Sequence, residues 1–516
     1  METILKKANK YKKNKNWKKA IKHYEKYLKN TNKNEIDEIY ISYAVSLKKS
    51  GNILKAKKIL LNGIHYYPEN QHMLIELYNI YNNNNEKLNA VNIAKKLIEL
   101  APDNSQNYFR LGTSYAQLNK KSEAEKEFLK GLEYYHNINI NDLKQKIQKD
   151  FSDNYEEVAT KYVFLGGRSN YGAFVHKFWN RKLITKISKY DINSKRERMF
   201  YEEVIKEFPR LKKHVPYFIS SKKMDNMLYL TIELVERDNQ KTESIKSILS
   251  TSEEISSIPY EEIVKKFPNI NYSYRMSNKP NPLTVLFTRI HEENYNNSVF
   301  TSMYDIIEQN NYPSSTHQVI KKIETLIMNY ELYKFIDPSV HYSLLHGDYN
   351  KSNSIINKSD KLIKVIDWEL FKIGPHFMDI ARYLSGSLKS YSEVKKIYLD
   401  NIELGGKLTL IERIFFLYAL ILLYILTFRE RKIEQKMTNY INPALRDLEK
   451  ITNEFLESDY YKILKKQFIE KENQDLKIKK LQEQNKIIKK SYNNLIKSKS
   501  WKITYPFRKL REILSK

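Results

Sequence analysis

Four alanines recur at nearly equal spacing in the first 135 residues. They are Ala20, Ala56, Ala90 and Ala124. The intervals are 36, 34 and 34 residues, and each alanine lies early in a segment with helical hydrophobic periodicity. Twelve positions before three of them the chain again has a small residue: Ala8, Ala44 and Gly112. Small residues allow two helices to approach closely, so this repeat predicts an array of paired helices.

Aromatic residues and prolines occupy further fixed positions in the repeat. Nine residues before the four alanines are Tyr11, Leu47, Tyr81 and Tyr115, and twelve residues after the middle two are Pro68 and Pro102. The pattern resembles the tetratricopeptide repeat, a 34-residue helix-turn-helix unit. The resemblance implies an all-α solenoid over residues 1–135, in which each unit contacts mainly its neighbours and a concave surface binds a protein partner. A structural spacer or a dimerising arm is the alternative interpretation.

The hydrophobic period changes from helical to alternating after a polar linker predicted at 136–155. TKYVFLGGRSNYGAFVHKFW predicts strand, turn and strand, and KLITKIS predicts a third strand that contains Lys186. A helical segment containing Glu197 follows, and MLYLTIELVE predicts a further strand. Residues 156–240 are therefore expected to form a sheet with one helix, and residues 241–455 a mostly helical lobe. Together they are expected to form a middle domain that keeps its own core, independent of the repeats.

Two short apolar runs farther along the chain each end in polar residues with a fixed spacing. HGDYNKSN supplies Asp348 and Asn353, and IDWE supplies Asp367. Phosphoryl transfer needs a base for the acceptor hydroxyl, oxygen ligands for Mg²⁺ and a cation for the phosphates. Asp348 can be the base, and Asn353 and Asp367 can be the metal ligands. Lys186 can bind the phosphates, with Glu197 positioning its ammonium group.

Three glycines, Gly166, Gly167 and Gly172, would allow a turn to approach a phosphate closely. With HGDYNKSN and IDWE, the segment LGGRSNYG resembles the aminoglycoside phosphotransferase and choline kinase superfamily over about residues 156–455. The resemblance implies an α+β, two-lobed, protein-kinase-like phosphotransferase domain that uses ATP and Mg²⁺. It implies a nucleotide loop that includes Ser169 and Asn170, and a connector from Glu233 to Val235 that contacts adenine. It also implies supporting roles for His346 and Asp379.

The acceptor is the least constrained part of the prediction. A hydroxyl of a small molecule or sugar is expected. A choline- or ethanolamine-type kinase is an alternative, because Tyr349, Trp368 or Tyr383 could face a quaternary amine. Trp368 and Glu369 could equally be core residues or residues behind the site. A non-catalytic kinase-like scaffold that works through its repeats is the third interpretation, and the complete set of polar residues argues against it.

The C-terminal segment, residues 456–516, is basic and helical in pattern. From residue 461 onward it has 17 Lys or Arg and 5 Asp or Glu. Apolar residues from Ile478 to Leu495 alternate at intervals of three and four with Asn485 between them, which predicts either a two-stranded coiled coil over 478–495 or a helix docked on its own domain. The ending SWKITYPFR resembles the ends of some bacterial glycosyltransferases of surface-polysaccharide clusters. It could also contact an anionic membrane surface.

The composition excludes several classes of protein. There is no cysteine, so disulfides and thiolate metal sites are absent. The net charge of +28 is scattered and accompanies no nucleic-acid-binding motif, so no nucleic-acid partner is expected. The N-terminus is charged and resembles no signal peptide, which predicts a cytoplasmic protein. The apolar run from Ile414 to Phe428 has 15 residues and is expected to be a buried core helix rather than a membrane span.

Overall fold

The computed structural model describes residues 2–30, 37–151, 158–164, 170–178, 181–238, 244–268, 270, 288–387, 389–427 and 436–497. The chain divides into two compact units. The first comprises Met1–Glu243 and Ser352–Phe371, and the second comprises Ser244–Lys351 and Lys372–Lys516. Residues 352–371, which the sequence placed within 241–455, thus belong with the first unit.

The first unit begins with four antiparallel helix pairs. Their helices are α1 (Glu2–Lys13), α2 (Trp17–Asn30), α3 (Asp37–Lys49), α4 (Ile53–Tyr66), α5 (Gln71–Asn83), α6 (Lys87–Leu100), α7 (Ser105–Gln117) and α8 (Lys121–His136). The four spaced alanines are all completely buried, as expected for the close contacts of paired helices. Asparagines cap several helices: the side chain of Asn52 accepts a hydrogen bond from Lys55 N–H, and that of Asn70 from Met73 N–H.

A five-stranded antiparallel sheet follows the repeats. Its strands are β1 (Ala159–Val163), β2 (Asn170–Phe178), β3 (Arg181–Lys189), β4 (Phe218–Met224) and β5 (Met227–Glu233), in the order β1-β2-β3-β5-β4. Helix α10 (Ile192–Met199) leaves β3 with Asp191 as its N-cap and continues through a π-turn at Phe200–Val204. The short hairpin Ser354–Ile356 with Ile363–Val365 completes the unit.

The repeats and the sheet are not independent, which corrects the expectation that the middle domain keeps its own core. Helix α9 (Ile140–Gln148) lies in the range predicted as a linker, and its Leu143 and Ile147 are buried. These two residues belong to one hydrophobic cluster with Phe128 of α8 and Phe174 of β2. The last repeat therefore covers one face of the sheet.

The second unit is mostly helical. Its helices of seven or more residues are Ile245–Ile255, Tyr260–Lys266, Glu293–Gln309, Ser314–Asn329, Met378–Gly386, Leu410–Thr427, Asn442–Glu457 and Asp459–Lys497, within the residues that the structure describes. Strands Tyr342–Leu345 and Lys372–Pro375 form an antiparallel pair. Their pairing fixes where the segment His346–Asp348 leaves the first of these strands.

Leu410–Thr427 is the one described helix with the length and apolarity to span a membrane, and 78% of it is buried inside the protein. It includes the apolar run predicted as a core helix, and the prediction is confirmed for the described part of that run. Phe428 lies outside the described residues.

The C-terminal segment forms a continuous 39-residue helix, Asp459–Lys497. Four of the predicted seam residues, Ile478, Leu481, Ile488 and Tyr492, are between 51% and 64% exposed. In the single chain this face is open to solvent rather than covered. The basic and aromatic ending from residue 498 onward lies outside the described residues.

Candidate active site

A lysine between two carboxylates forms the centre of the candidate site in the first unit. The Nζ atom of Lys186 on β3 lies 2.7 and 2.9 Å from the carboxylate oxygens of Glu197 and 2.8 Å from Oδ1 of Asp367. The three residues are called the lysine cluster from here on. Glu197 is the glutamate that the sequence predicted for this role. Glu202, farther along the same helical segment, pairs with Arg198 at 2.8 Å.

The electrostatics of the lysine cluster keep the ammonium group charged. Burial alone would lower the pKa of Lys186, but the carboxylates of Glu197 and Asp367 raise it above its usual range. The Glu197 side chain is 4% exposed and that of Asp367 is 43% exposed. Asp367 is thus the accessible member, and Glu197 is the buried anchor for the lysine.

Aromatic packing holds the lysine cluster together. Phe200, one residue after α10, stacks on Trp368 with ring centroids 3.8 Å apart and planes 9° from parallel. The backbone of Trp368 also hydrogen-bonds Glu197, and its indole Nε1 donates to Val365 O at 2.8 Å. The helix that carries Glu197 is therefore fixed directly against the segment that carries Asp367.

The two predicted metal ligands stand at one end of the short hairpin. The backbone N–H of Ile366 donates to Asn353 O at 2.9 Å, so Asn353 and Asp367 lie near the same end of the paired strands. Asp367 has a left-handed backbone, with φ of 69°. Such a conformation is unfavourable for most residues and persists where the surroundings impose it, which is common at functional sites.

The donor set suits a hard divalent cation. An amide oxygen from Asn353 and a carboxylate from Asp367 are oxygen ligands of the type that Mg²⁺ prefers, and Mg²⁺ commonly takes its other ligands from water and phosphate. These two residues would hold the ion.

The predicted nucleotide loop is only partly among the described residues. Gly166, Gly167 and Ser169 lie outside them, and Asn170 is described only as the first residue of β2. Gly172 has φ of 106°, and a Cβ atom there would overlap the Tyr162 hydroxyl. A glycine is therefore required at this position for both conformational and steric reasons.

The connector after β5 lines a cleft of about 790 Å³. Its walls include Glu233, Leu234 and Glu236 from the connector, Leu183 from β3, and Asn357 after the hairpin strand. Ligand pockets typically have volumes of about 300–1,000 Å³, so a nucleotide base would fit. The backbone N–H groups of Glu233 and Leu234 are already used by Tyr217 O and Lys182 O. Val235, the other predicted adenine contact, is half-buried. Lys186 itself does not line this cleft.

The His-Gly-Asp segment in the second unit is held by Asp379. The carboxylate of Asp379 accepts the backbone N–H of His346 at 2.6 Å and that of Gly347 at 2.9 Å. Burial raises the pKa of Asp379, and the histidine and these two donors oppose the shift. The His346 ring accepts the Asp348 N–H at 3.3 Å. Asp379 and His346 therefore both accept hydrogen bonds from the backbone of this loop.

Arg382 is the site residue that the sequence analysis missed. Its Nε and a terminal guanidinium nitrogen donate to Oδ1 of Asp348 at 3.2 and 3.0 Å. Arg382 is on the helix that begins with Met378, one turn after Asp379, so the same helix supports the loop and pairs with the predicted base. The i,i+3 spacing in MDIAR is a weak signal, because arginines on helices usually face solvent.

The aromatic residues considered as contacts for a quaternary amine belong to the protein interior. Tyr349 is fully buried and its hydroxyl donates to Ile248 O at 2.7 Å. Tyr383 is 6% exposed, and its ring centroid lies 5.8 Å from that of Tyr349. Trp368 is fully buried against Phe200. Glu369 is the residue next to Trp368. Its pKa is raised to about 7, mainly by burial and then by the negative charges of Asp367 and Glu197.

Comparison with known proteins agrees with the chemistry of this site. Residues 316–399 match the family described as "Phosphotransferase enzyme family", APH. The matched segment contains Asp348, Asn353, Asp367 and Asp379, and the match supports a kinase-type phosphotransferase. No curated protein matches the chain.

Solved structures similar to this chain include those of MamA and YrrB. The match to the crystal structure of MamA has 22% sequence identity and a TM-score of 0.25, and it covers 28% of this chain and 80% of the MamA chain. YrrB is described as a TPR protein with an unusual peptide-binding site. Its match has 16% sequence identity and a TM-score of 0.23, and it covers 25% of this chain and 64% of the YrrB chain.

Proposed function

We propose that the chain is an ATP- and Mg²⁺-dependent phosphotransferase that phosphorylates a hydroxyl group of a small molecule or sugar. The lysine cluster carries the proposal: a buried glutamate orients a lysine beside an accessible aspartate that has a constrained backbone. The family match over residues 316–399 supports the same class of reaction.

Each residue of the candidate site has a distinct role in this proposal. Lys186 binds the phosphates of ATP, and Glu197 positions its ammonium group. Asp367 and Asn353 would hold Mg²⁺, which neutralises phosphate charge when bound. Asp348 accepts the proton of the acceptor hydroxyl as its oxygen bonds to the terminal phosphorus and the bond to ADP breaks.

Nucleotide binding provides the first test. ATP with Mg²⁺ at one hundred times its Kd should stabilise the wild-type protein by about 2.7 kcal/mol. Lys186→Ala and Asp367→Asn should lose most of this thermal shift. Asp348→Asn should keep it, because Asp348 acts on the acceptor. A wild-type chain without any nucleotide-dependent shift would favour the non-catalytic scaffold.

Transfer provides the second test. A screen of sugars, amino alcohols and aminoglycosides with labelled ATP should identify the acceptor class. With that acceptor, Asp348→Asn should reduce kcat by about 10²–10⁴-fold, which is the usual contribution of a positioned base. Full turnover by Asp348→Asn would remove this residue from the role of base.

A further inference from the structure

The last repeat contacts the sheet with two buried phenylalanines. Phe109 of α7 and Phe128 of α8 are 3% and 1% exposed, and both belong to the hydrophobic cluster that includes Phe174 and Ile187 of the sheet. The earlier repeats form a second cluster, which Leu111 of α7 also joins. One repeat of the four, together with α9, therefore provides the surface on which this face of the sheet packs.

Two aromatic stacks lie at neighbouring ends of β1 and β2. Phe128 stacks on Phe164, which directly follows β1, with centroids 4.9 Å apart. Phe109 stacks on Tyr171, the second residue of β2, with centroids 4.2 Å apart and planes 23° from parallel. Aromatic pairs of this kind contribute about 0.5–1.5 kcal/mol beyond their buried area. The repeat thus holds the end of one strand and the beginning of the next.

A hydrogen bond from the repeat fixes the same position in a specific register. Oε1 of Glu125 on α8 accepts the backbone N–H of Phe164 at 2.9 Å. A bond from a backbone N–H to a carboxylate is stronger and more directional than a neutral one. The position of Phe164 is therefore set by both a stack and a hydrogen bond.

The repeat also holds the opposite edge of the sheet. The ring of His136, at the end of α8, contacts Asp225 Oδ2 at 3.1 Å and the Tyr229 hydroxyl at 2.6 Å. The hydroxyl of Tyr135 accepts the backbone N–H of Asn226 at 3.0 Å. Helix α8 therefore contacts the sheet both at the end of β1 and at the hairpin of β4 and β5. The repeat thus acts as a rigid support for the sheet.

We propose that Phe109, Phe128 and Glu125 are positioning residues for nucleotide binding. They act through Phe164 and Tyr171, which fix the neighbouring ends of β1 and β2, and β2 pairs with β3 where Ala173 lies opposite Lys186. This inference rests on the proposed function, and it adds that the last repeat is part of the nucleotide-binding machinery rather than only a surface for a partner. Small displacements of such supports have large effects on affinity, because ligand contacts need near-correct geometry.

Three variants of the full-length chain test the proposal. Phe109→Leu removes one stack, and Glu125→Ala removes the hydrogen bond while keeping a strong helix former in α8. The control is Tyr43→Leu, which removes a buried ring from the earlier repeats, outside the shared cluster. The readouts are the Kd of ATP with Mg²⁺ by calorimetry, the thermal midpoint, and amide hydrogen exchange of the unliganded protein.

Phe109→Leu should raise the Kd by about tenfold. It should also speed exchange in 159–163 and 170–178. Glu125→Ala should also raise the Kd and speed amide exchange in these two strands, with little decrease in the thermal midpoint. Tyr43→Leu should lower the thermal midpoint without either effect.

The inference is overturned if Phe109→Leu and Glu125→Ala leave Kd and exchange in these strands at the level of the control. If the wild-type protein binds no nucleotide, the proposed function and the nucleotide role of these residues both fail. Faster exchange confined to 159–163 and 170–178 would then show that the repeat supports the sheet without serving a nucleotide site.

Discussion

His176 is completely buried in the sheet, where its two ring nitrogens contact the hydroxyls of Thr160 and Thr185 at 2.8 and 2.9 Å. Burial lowers the pKa of His176 to about 4 from an ordinary value of 6.5. The folded state therefore binds the proton less well than the unfolded state does. The free energy of unfolding is therefore not reduced by His176 above pH 6.5, where the ring is neutral in both states. It decreases as the pH falls from 6.5 toward 4.

This difference predicts acid sensitivity that depends on one residue. Each pKa unit corresponds to about 1.4 kcal/mol, so His176 should account for roughly 3 kcal/mol of stability lost between pH 7 and pH 4. In urea unfolding, His176→Gln should flatten the pH dependence relative to wild type. His72→Gln, at an exposed position, should not change it. Parallel pH profiles for all three proteins would contradict the assignment.

Single residues of the candidate site were predictable where the chemistry demanded a fixed order along the chain. Lys186, Glu197 and Asp367 follow from a strand, a helix and an acidic strand end, and the structure brings them within hydrogen-bond distance. Arg382 was not predictable, because its pairing with Asp348 depends on how a helix 34 residues later packs. The only signal in the sequence is the weak i,i+3 spacing of Asp379 and Arg382, which does not show what Arg382 contacts.

Among the structural elements, the strand β2 depends most on a single glycine. Gly172 combines a positive φ with contact against Tyr162. We expect Gly172→Ala to lower the unfolding free energy by about 1–3 kcal/mol from backbone strain, with a further loss from the overlap. Gly386→Ala is the control, because Gly386 ends a helix and has open space around its Cβ position. That variant should be neutral or slightly stabilising. Equal stability of the two variants would contradict the strain.

Elements with strong hydrophobic patterns were predicted, and those with mixed patterns were not. The strands β1, β2, β3 and β5 alternate or are apolar, and they are found where the sequence placed them. The strand β4, FISSKKM, was missed because most of its residues are only half-buried and four of seven are Ser or Lys. Helix α9 was missed because its segment is short and polar, and its two buried apolar residues, Leu143 and Ile147, gain their partners only from tertiary packing.

At the level of the whole molecule, the shared core predicts where the chain tolerates truncation. Deleting residues 1–135 would expose the cluster residues Phe174, Ile187 and Tyr229 of the sheet. We expect that truncation to be insoluble or molten. Deleting residues 1–67 removes only the first two helix pairs and leaves α7 and α8 in place, so it should give a folded protein. Circular dichroism and hydrogen exchange would distinguish the two, and a well-folded product from the longer deletion would show that the sheet does not need the repeat.

The helix Asp459–Lys497 predicts association between two copies of the chain. It presents Ile478, Leu481 and Ile488 to solvent in the single chain, at coiled-coil spacing, with Asn485 between the last two. An asparagine at such a position pairs best with its equivalent in a parallel two-stranded coil, although it lowers the stability of the coil. A second copy of this helix is therefore the partner that the face fits best.

Three variants test this association by light scattering. Deleting residues 461–516 should convert a wild-type dimer to a monomer. Asn485→Ile should give higher or mixed oligomers, because it makes the seam apolar throughout and removes the polar pair that favours two strands. Asn493→Ile is the matched control, since it places the same side chain on the same helix one position after Tyr492, off the seam, and it should remain a dimer. If the deletion variant kept the wild-type mass, the helix would not be the association element, and the helical repeats would be the next surface to vary.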